Sequence, residues 1–376
     1  MVKTYQIFTN NDCNLRCKYC YEHIKGTKIN NITTIKTFID KSILEITLND
    51  NDKPNVMYEI IGGESLLHID LVEQICDYIF EKFIQYKIKT HPTIAISTNG
   101  TILNDKVKNF FYKYGRYIDL GISIDGCKKC HDLNRVDIHG NGSYDKIIEN
   151  LEFFKKHICK YRLSVKATFN HDNIKYYSES ILELIKLGFT NIVGNAVYEE
   201  YWKEEEWESI FEQLRIVADY LIDNDLEDKI AIRQINPEHS NYKDLPIGLP
   251  RENNHCGSCH HMVCLGMDNK IYGCHRFSSN ELCSIGKIDN DNVYIENTDF
   301  VEEVKEQYLY YPEECKVCPF VSICGTCASI PYEFDITAKE WFAQKRQCGF
   351  TKAVGYAICY FGWRIEEKKK SKMTNS

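Results

Sequence analysis

Three observations on this 376-residue chain predict an α/β fold in which six βα units form an open or closed barrel around a parallel sheet. Short β-branched runs alternate with amphipathic stretches through the first half. Several of those runs are near-continuously apolar, as strands covered by helices are. Hydrophobic residues make up 43% of the chain and charged residues 27%, enough apolar surface for a sizeable core. At roughly 150 residues per domain, two or three packed units are expected.

The elements follow in order. Strands are predicted at Tyr5–Thr9, Val56–Ile61, Thr93–Ser97, Ile118–Ile124, Leu163–Phe169 and Asn191–Ala196. Between them, Leu67–Tyr86 carries apolar residues at Leu71, Ile75, Tyr78, Ile79 and Phe83, a helical spacing, and Tyr144–Ile158 reads likewise. These units place a first domain at residues 1–198. From Glu199 the character changes: Trp207, Ile210, Phe211, Leu214, Val217, Ala218 and Leu221 keep helical spacing in an acidic stretch, and Pro237, Pro246, Gly248 and Pro250 punctuate a linker, 199–250. Residues 251–350 hold ten of the eighteen cysteines, with strands expected at Met262–Met267 and Lys270–Tyr272 around an Asp268-Asn269 turn. This part reads as too loop-rich for a large core, so bound metal is expected to drive its folding. A last helix around Ala338–Ile365 and a frayed Lys368-Lys369-Lys370 end, in a segment 351–376, close the chain.

Composition excludes some functions. Forty-six Lys plus Arg against fifty-four Asp plus Glu give a formal net charge of −8, which disfavours nucleic acid as a partner because that binding needs a basic face. No apolar run has secretory or membrane-spanning length, so a cytoplasmic location without membrane contact is expected. In a reducing cytosol, close-spaced cysteines favour metal or cluster ligation over disulfides.

Just after the first strand, Cys13, Cys17 and Cys20 form a C-x3-C-x2-C run in a predicted loop. A cubane iron–sulfur cluster has four irons, so three thiolates leave one iron open to an outside ligand. A structural zinc site lacking its fourth ligand is the bland alternative. The run, with the aromatic Tyr19 before its last cysteine, resembles the cluster-binding motif of the radical S-adenosylmethionine (SAM) superfamily. That resemblance implies a partial, TIM-like (β/α)6 barrel. It also implies that SAM chelates the open iron and is split by one electron to a 5′-deoxyadenosyl radical.

The βα loops that follow suit SAM. Gly62, Gly63 and Glu64 end the second strand; glycines permit close approach and a carboxylate accepts from an ammonium, and the trio is similar to the superfamily's GGE motif. Ser97 and Asn99 end the third strand and Ser123 and Asp125 the fourth, polar groups where α/β barrels place ligands. Arg135, a bidentate partner for a carboxylate, lies in a stretch similar to that carrying the SAM-carboxylate arginine in peptide-modifying members.

The later cysteines comprise Cys256, Cys259, Cys274, Cys315, Cys318, Cys324, Cys327 and Cys348, two full sets of four; by spacing, structural zinc is the alternative. The pattern resembles the SPASM extension of radical SAM enzymes, which houses two auxiliary 4Fe-4S clusters. The resemblance implies one cluster on Cys256, Cys259, Cys274 and Cys327, and another on Cys315, Cys318, Cys324 and Cys348, three clusters in all with the first. Asn269 stands where glycine is usual but tolerates left-handed backbone. Only two residues separate Cys324 from Cys327 where three are usual, and the Cys256 to Cys259 spacing is shorter than in some relatives, leaving Cys264 and Cys283 as substitute ligands. Cys76, Cys127, Cys130, Cys159 and Cys359 fit no motif and are expected as buried apolar thiols.

SPASM members mostly modify ribosomally made peptides or proteins. The expectation is hydrogen abstraction from a peptide, giving a thioether or carbon–carbon cross-link, with auxiliary clusters able to accept an electron. Oxidation of a sulfatase Ser or Cys to formylglycine is the competing activity. Those maturases place an aspartate directly after the cysteine that ends the hairpin; here His275 follows Cys274, in a Cys-His-Arg-Phe run that looks like that of cross-linking maturases. His275 is thus the candidate base, against a structural histidine. The expected partners are a peptide or protein substrate and a flavodoxin- or ferredoxin-type reductant. With the first strand starting at Tyr5, no upstream recognition domain is expected, so a separate leader-recognition protein or the acidic linker helix would bind a leader, a basic one suiting the net charge. A non-catalytic zinc-stapled module is the hypothesis of another class.

Overall fold

The computed structural model describes residues 3–22, 25–48, 55–236, 256–289, 292–325 and 327–374. Strands β1 (Lys3–Phe8), β2 (Val56–Ile61), β3 (Thr93–Thr98), β4 (Ile118–Ser123), β5 (Leu163–Phe169) and β6 (Asn191–Ala196) lie side by side in sequence order. All adjacent pairs are parallel. The predicted strand set is present, with ends displaced by a residue or two. Helices α1 (Ile32–Leu48), α2 (Ile69–Gln85), α3 (Asp105–Tyr114), α4 (Lys128–Asn134), α5 (Tyr144–His157) and α6 (Tyr177–Lys186) occupy the connections.

Local chemistry sets these elements. Leu71, Ile75, Ile79 and Phe83 form the buried stripe of α2. Asn104 caps α3, its Oδ1 accepting from the Val107 N–H at 3.0 Å. On β5, Leu163, Val165, Ala167 and Phe169 are buried while Ser164, Lys166 and Thr168 are only partly so. That alternation turns polar side chains to the inside of the curved sheet.

The sheet continues past these six strands. The short β7 (Ala231–Ile232) adds in parallel beyond β6. At the opposite edge β8 (Met262–Leu265) pairs in parallel with β1, and β9 (Lys270–Tyr272), β10 (Ser284–Asp289) and β11 (Asn292–Ile295) follow antiparallel. The result is an open barrel whose eleven described strands end at β7 and β11. The cysteine-rich part therefore does not stand apart on metal alone. Its Leu265, Ile271, Tyr272, Phe277 and Ile285 join the same buried core as the first six strands. Asn269 turns the β8–β9 hairpin at φ 62°, the left-handed conformation anticipated for it.

The acidic amphipathic stretch forms α7 (Trp207–Asp223), which packs along the C-terminal helix Cys348–Thr374. Pro237, Pro246, Gly248 and Pro250 lie outside the described residues. The predicted last helix is two pieces, Ala338–Ala343 and Cys348–Thr374. Lys345 adopts a left-handed φ of 51° between them, and the turn is pinned to Trp202 by Trp202 N–H to Arg346 C=O and Gly349 N–H to Trp202 C=O, at 2.8 and 3.0 Å. The Lys368-Lys369-Lys370 end is not frayed: the helix runs through it, and Lys368 Nζ donates to Ile222 C=O and the Glu227 carboxylate, both at 2.6 Å. Cys76, Cys127 and Cys130 are buried as expected, whereas Cys159 is half-buried and Cys359 exposed, each on the solvent side of its segment. Among the described residues no helix is long and apolar enough to cross a membrane.

Candidate functional site

A cavity of about 470 Å³ opens at the carboxyl ends of the barrel strands, and Cys13, Cys17 and Cys20 line it. The cysteine loop is fixed on both sides. Arg16 and Lys18 N–H donate to Val136 and Asn134 C=O at 2.7 and 3.0 Å, tying the loop to the segment that bears Arg135. On the other side Gly63 and Glu64 N–H donate to Asn10 and Asp12 C=O at 2.9 and 2.8 Å. A Cβ on Gly63 would lie 2.2 Å from the Asp12 carbonyl oxygen, and one on Gly62 would lie 2.7 Å from that of Asn10. The glycines thus allow two loops to meet while still lining the cavity.

Glu64 is 2% exposed, and its carboxylate accepts from Thr98 Oγ1 at 2.8 Å, Leu66 N–H at 3.2 Å and Asn99 N–H at 2.7 Å. It clamps the second loop to the third while still lining the cavity, and burial raises its pKa against those bonds. Ser97, Asn99, Ser123, Tyr19 and Arg135 also line the cavity, as do Gly62 and Gly63. Asp125 does not. It is fully buried behind the wall, where its carboxylate accepts from Arg135 Nε at 3.1 Å, Thr168 N–H at 2.9 Å and the Tyr19 hydroxyl. A relay supports this group. Asp125 N–H donates to His131 Nδ1 at 3.2 Å, His131 Nε2 bonds Ser143 Oγ at 2.9 Å, and that hydroxyl donates to Arg135 C=O at 3.0 Å.

Burial pushes the Cys13 thiol up to about 11 and raises that of Cys17. Arg135 Nη1 stands 3.9 Å from Cys17 Sγ and Lys25 Nζ 3.3 Å from Cys20 Sγ. Three thiols facing one cavity with cations beside two of them fit an iron–sulfur group, whose irons hold sulfur as thiolate. No three Cys, His, Asp or Glu side chains among the described residues converge on a point that would hold a single ion. The thiols line a wall instead.

Sequence reasoning missed Glu59 and Lys166, which also line the cavity. Lys166 Nζ donates to Ser97 Oγ at 2.7 Å. The signal was one charged residue inside each of two apolar strands. The segment after the hairpin supplies part of the wall through His275 and Arg276. His275 N–H donates to Gln6 Oε1 at 2.8 Å, and Gln6 Nε2 donates to Glu59 Oε2 at 2.7 Å. The His275 ring lies 5.3 Å from that of Tyr21, its Nδ1 is buried without a partner, and burial lowers its pKa to about 4. It is a neutral imidazole at neutral pH. Arg276, over the Tyr21 ring at 5.2 Å, bridges Glu199 and Glu333.

Of the later cysteines, Cys315, Cys318, Cys324 and Cys348 line a second cavity with Tyr311, Phe320, Trp341 and Phe342. Burial pushes Cys324 up to about 12. Cys274 is buried with Cys327 and Cys256 as electrostatic neighbours, and Cys256 neighbours Cys259. Cys259 takes a left-handed φ of 60°, and a Cβ on Gly273 would lie 2.2 Å from its Sγ. Cys264 is fully buried and turned onto Leu265 C=O at 3.6 Å, while Cys283 is buried beside Cys259.

The parallel strands, the three-thiol loop and the clamped Gly-Gly-Glu turn define the class: the amino-terminal half is a radical SAM enzyme domain, and residues 7–187 match the family model described as the Radical SAM superfamily. Among individual relatives, the chain is 29% identical over 180 residues to a cysteine-type anaerobic sulfatase-maturating enzyme of Clostridium novyi, covering 47% of this chain and 46% of that protein. The chain thus spans about half the length of that relative. It is 25% identical over 348 residues to a serine-type anaerobic sulfatase-maturating enzyme of Bacteroides thetaiotaomicron, covering 84% and 80% of the two chains. The fold is shared with anSMEcpe solved with bound AdoMet, at a TM-score of 0.70 and 16% identity over 96% of this chain and 99% of that one. It is shared too with SuiB of Streptococcus suis bound to its precursor peptide SuiA, at 0.55 and 15% over 89% and 73%.

Proposed function

We propose that this protein oxidises a residue of a ribosomally made peptide after splitting SAM, forming a thioether or carbon–carbon cross-link. The carrying observation is one cavity lined both by the three thiols and by His275, whose Nδ1 is buried without a hydrogen-bond partner. Cys13, Cys17 and Cys20 would hold a 4Fe-4S cluster, which when bound supplies the electron that releases a 5′-deoxyadenosyl radical from SAM. Arg135, 8% exposed and aimed by Asp125, would take the methionine carboxylate. Asn99, Ser97 and Ser123 offer hydrogen bonds to the ribose hydroxyls. Tyr19, locked by its bond to Asp125, and the hairpin close the walls and exclude water.

At the hairpin, neutral His275 would accept the proton that leaves the substrate residue on oxidation. The two later sets of thiols, in a SPASM-like region at 251–350, would hold two auxiliary 4Fe-4S clusters as electron acceptors. Sulfatase maturation is the second reading, favoured by the long alignment to the Bacteroides relative. A cytoplasmic flavodoxin- or ferredoxin-type protein would be the reductant, and a separate leader-binding protein a further partner. Anaerobic reconstitution, followed by SAM, reductant and candidate peptides, tests the reading. Deoxyadenosine with a peptide lighter by two hydrogens supports cross-linking, a formylglycine aldehyde in a sulfatase peptide supports the second reading, and absence of deoxyadenosine retires both.

A further inference from the structure

Lys25 has no place in the roles assigned so far, yet it is the cation nearest the thiol triad. Its ammonium is about one-tenth exposed, lines the cavity and donates to Cys20 Sγ at 3.3 Å. It also acts electrostatically on Cys13 and Cys17, so one charge faces all three sulfurs. Arg135, which stands beside the same triad, differs in kind. It sits 3.9 Å from Cys17 Sγ, and the buried carboxylate of Asp125 answers its charge at 3.1 Å. The carboxylate near Lys25 belongs to Glu22, with Oε2 at 3.8 Å, beyond hydrogen-bonding distance. That oxygen is buried and has no hydrogen-bond partner. The Lys25 charge is therefore poorly cancelled, in a region where low dielectric strengthens its field.

We propose that Lys25 is a positioning residue for electron entry: its ammonium, bonded to Cys20 Sγ, raises the reduction potential of the iron–sulfur group on Cys13, Cys17 and Cys20. The inference rests on the reading that these thiols hold a 4Fe-4S cluster. Reduction adds one electron, supplied by an external low-potential donor, and so one negative charge to a group bounded by three thiolates. A fixed cation hydrogen-bonded to a ligand sulfur stabilises that reduced form more than the oxidised one, and bonds to sulfur are a recognised determinant of cluster potential. Glu22 acts oppositely, by offsetting part of the lysine's charge.

The test is an anaerobic potentiometric titration of the reconstituted full-length protein, with dithionite as reductant. It is followed by electron paramagnetic resonance of the one cluster whose signal changes when SAM is added. Lys25→Gln should lower that midpoint, Lys25→Arg should hold it near the wild-type value, and Glu22→Gln should raise it; iron content of each variant controls for assembly. An unchanged midpoint in Lys25→Gln overturns the inference, as does a Lys25→Arg midpoint that falls with it. If Lys25→Gln does not assemble, Glu22→Gln decides: an upward shift sustains the inference and none overturns it. A wild-type protein with no SAM-sensitive cluster overturns the underlying reading instead, a separate result.

Discussion

Arg135 donates from Nε to the fully buried carboxylate of Asp125 at 3.1 Å, and this pairing aims the guanidinium into the cavity beside Cys17. Arg135 lines the wall while Asp125 stands behind it, so the carboxylate acts through the arginine and through Tyr19.

Removing Asp125 should therefore be felt as loss of the proposed SAM site. Asp125→Ala leaves a buried guanidinium without its partner, a change that costs about 3–5 kcal/mol. Denaturant unfolding should show that loss, and SAM binding by calorimetry should weaken in parallel. Asp125→Asn, which keeps an acceptor oxygen, should recover part of both.

The relay through His131 makes stability depend on pH. Burial, with Arg135 adding to it, holds His131 neutral well below the ordinary histidine range. Below about pH 6.5 the unfolded chain takes up a proton that the folded chain refuses, so stability falls as the pH drops. The slope from this group should approach about 1.4 kcal/mol per pH unit. His131→Gln should flatten the dependence in unfolding midpoints measured from pH 7 to pH 5.

For His275 the expected outcome is a split. His275→Gln should slow peptide modification by about 10²-fold to 10⁴-fold, the range for a lost general base. SAM cleavage should persist, because the thiol triad is untouched; parallel loss of deoxyadenosine would make the histidine structural.

Single cysteine replacements should report on the two proposed auxiliary sites. Cys348→Ala or Cys327→Ala should each lower iron by up to about four per chain. Cys264→Ala should leave iron unchanged, since that thiol is turned onto Leu265 C=O. An iron loss in Cys264→Ala would move the ligand set.

Gly63→Ala places a methyl 2.2 Å from the Asp12 carbonyl oxygen. A backbone atom cannot rotate aside, so about 1–3 kcal/mol of stability should be lost, read as a lower unfolding midpoint. Reconstituted iron in the first site should fall with it, because the displaced loop carries Cys13.

The six parallel strands and the polar strand ends that line the cavity were legible because periodicity and strand-end polarity are local properties. Cys13, Cys17 and Cys20 were legible for the same reason: spacing within one loop survives folding unchanged. Asp125 was named as a ligand but stands behind Arg135, and that distinction depends on which side of the wall each side chain occupies. Glu59 and Lys166 were hidden because their meaning comes from facing inward, which only the curvature of the sheet settles. The split of the last helix escaped because its cause, the docking of Arg346 and Gly349 on Trp202, lies over 140 residues away in sequence.

The pairing of β8 with β1 carries a consequence for truncation. β1 is an interior strand only because a segment more than 250 residues downstream lies alongside it. A fragment ending before Met262 would leave unpaired those backbone groups of Thr4 to Ile7 that face β8, along an apolar border, a template for intermolecular strand addition. Isolating the amino-terminal half should thus yield aggregates, because the strand that covers this edge, β8, is missing from it.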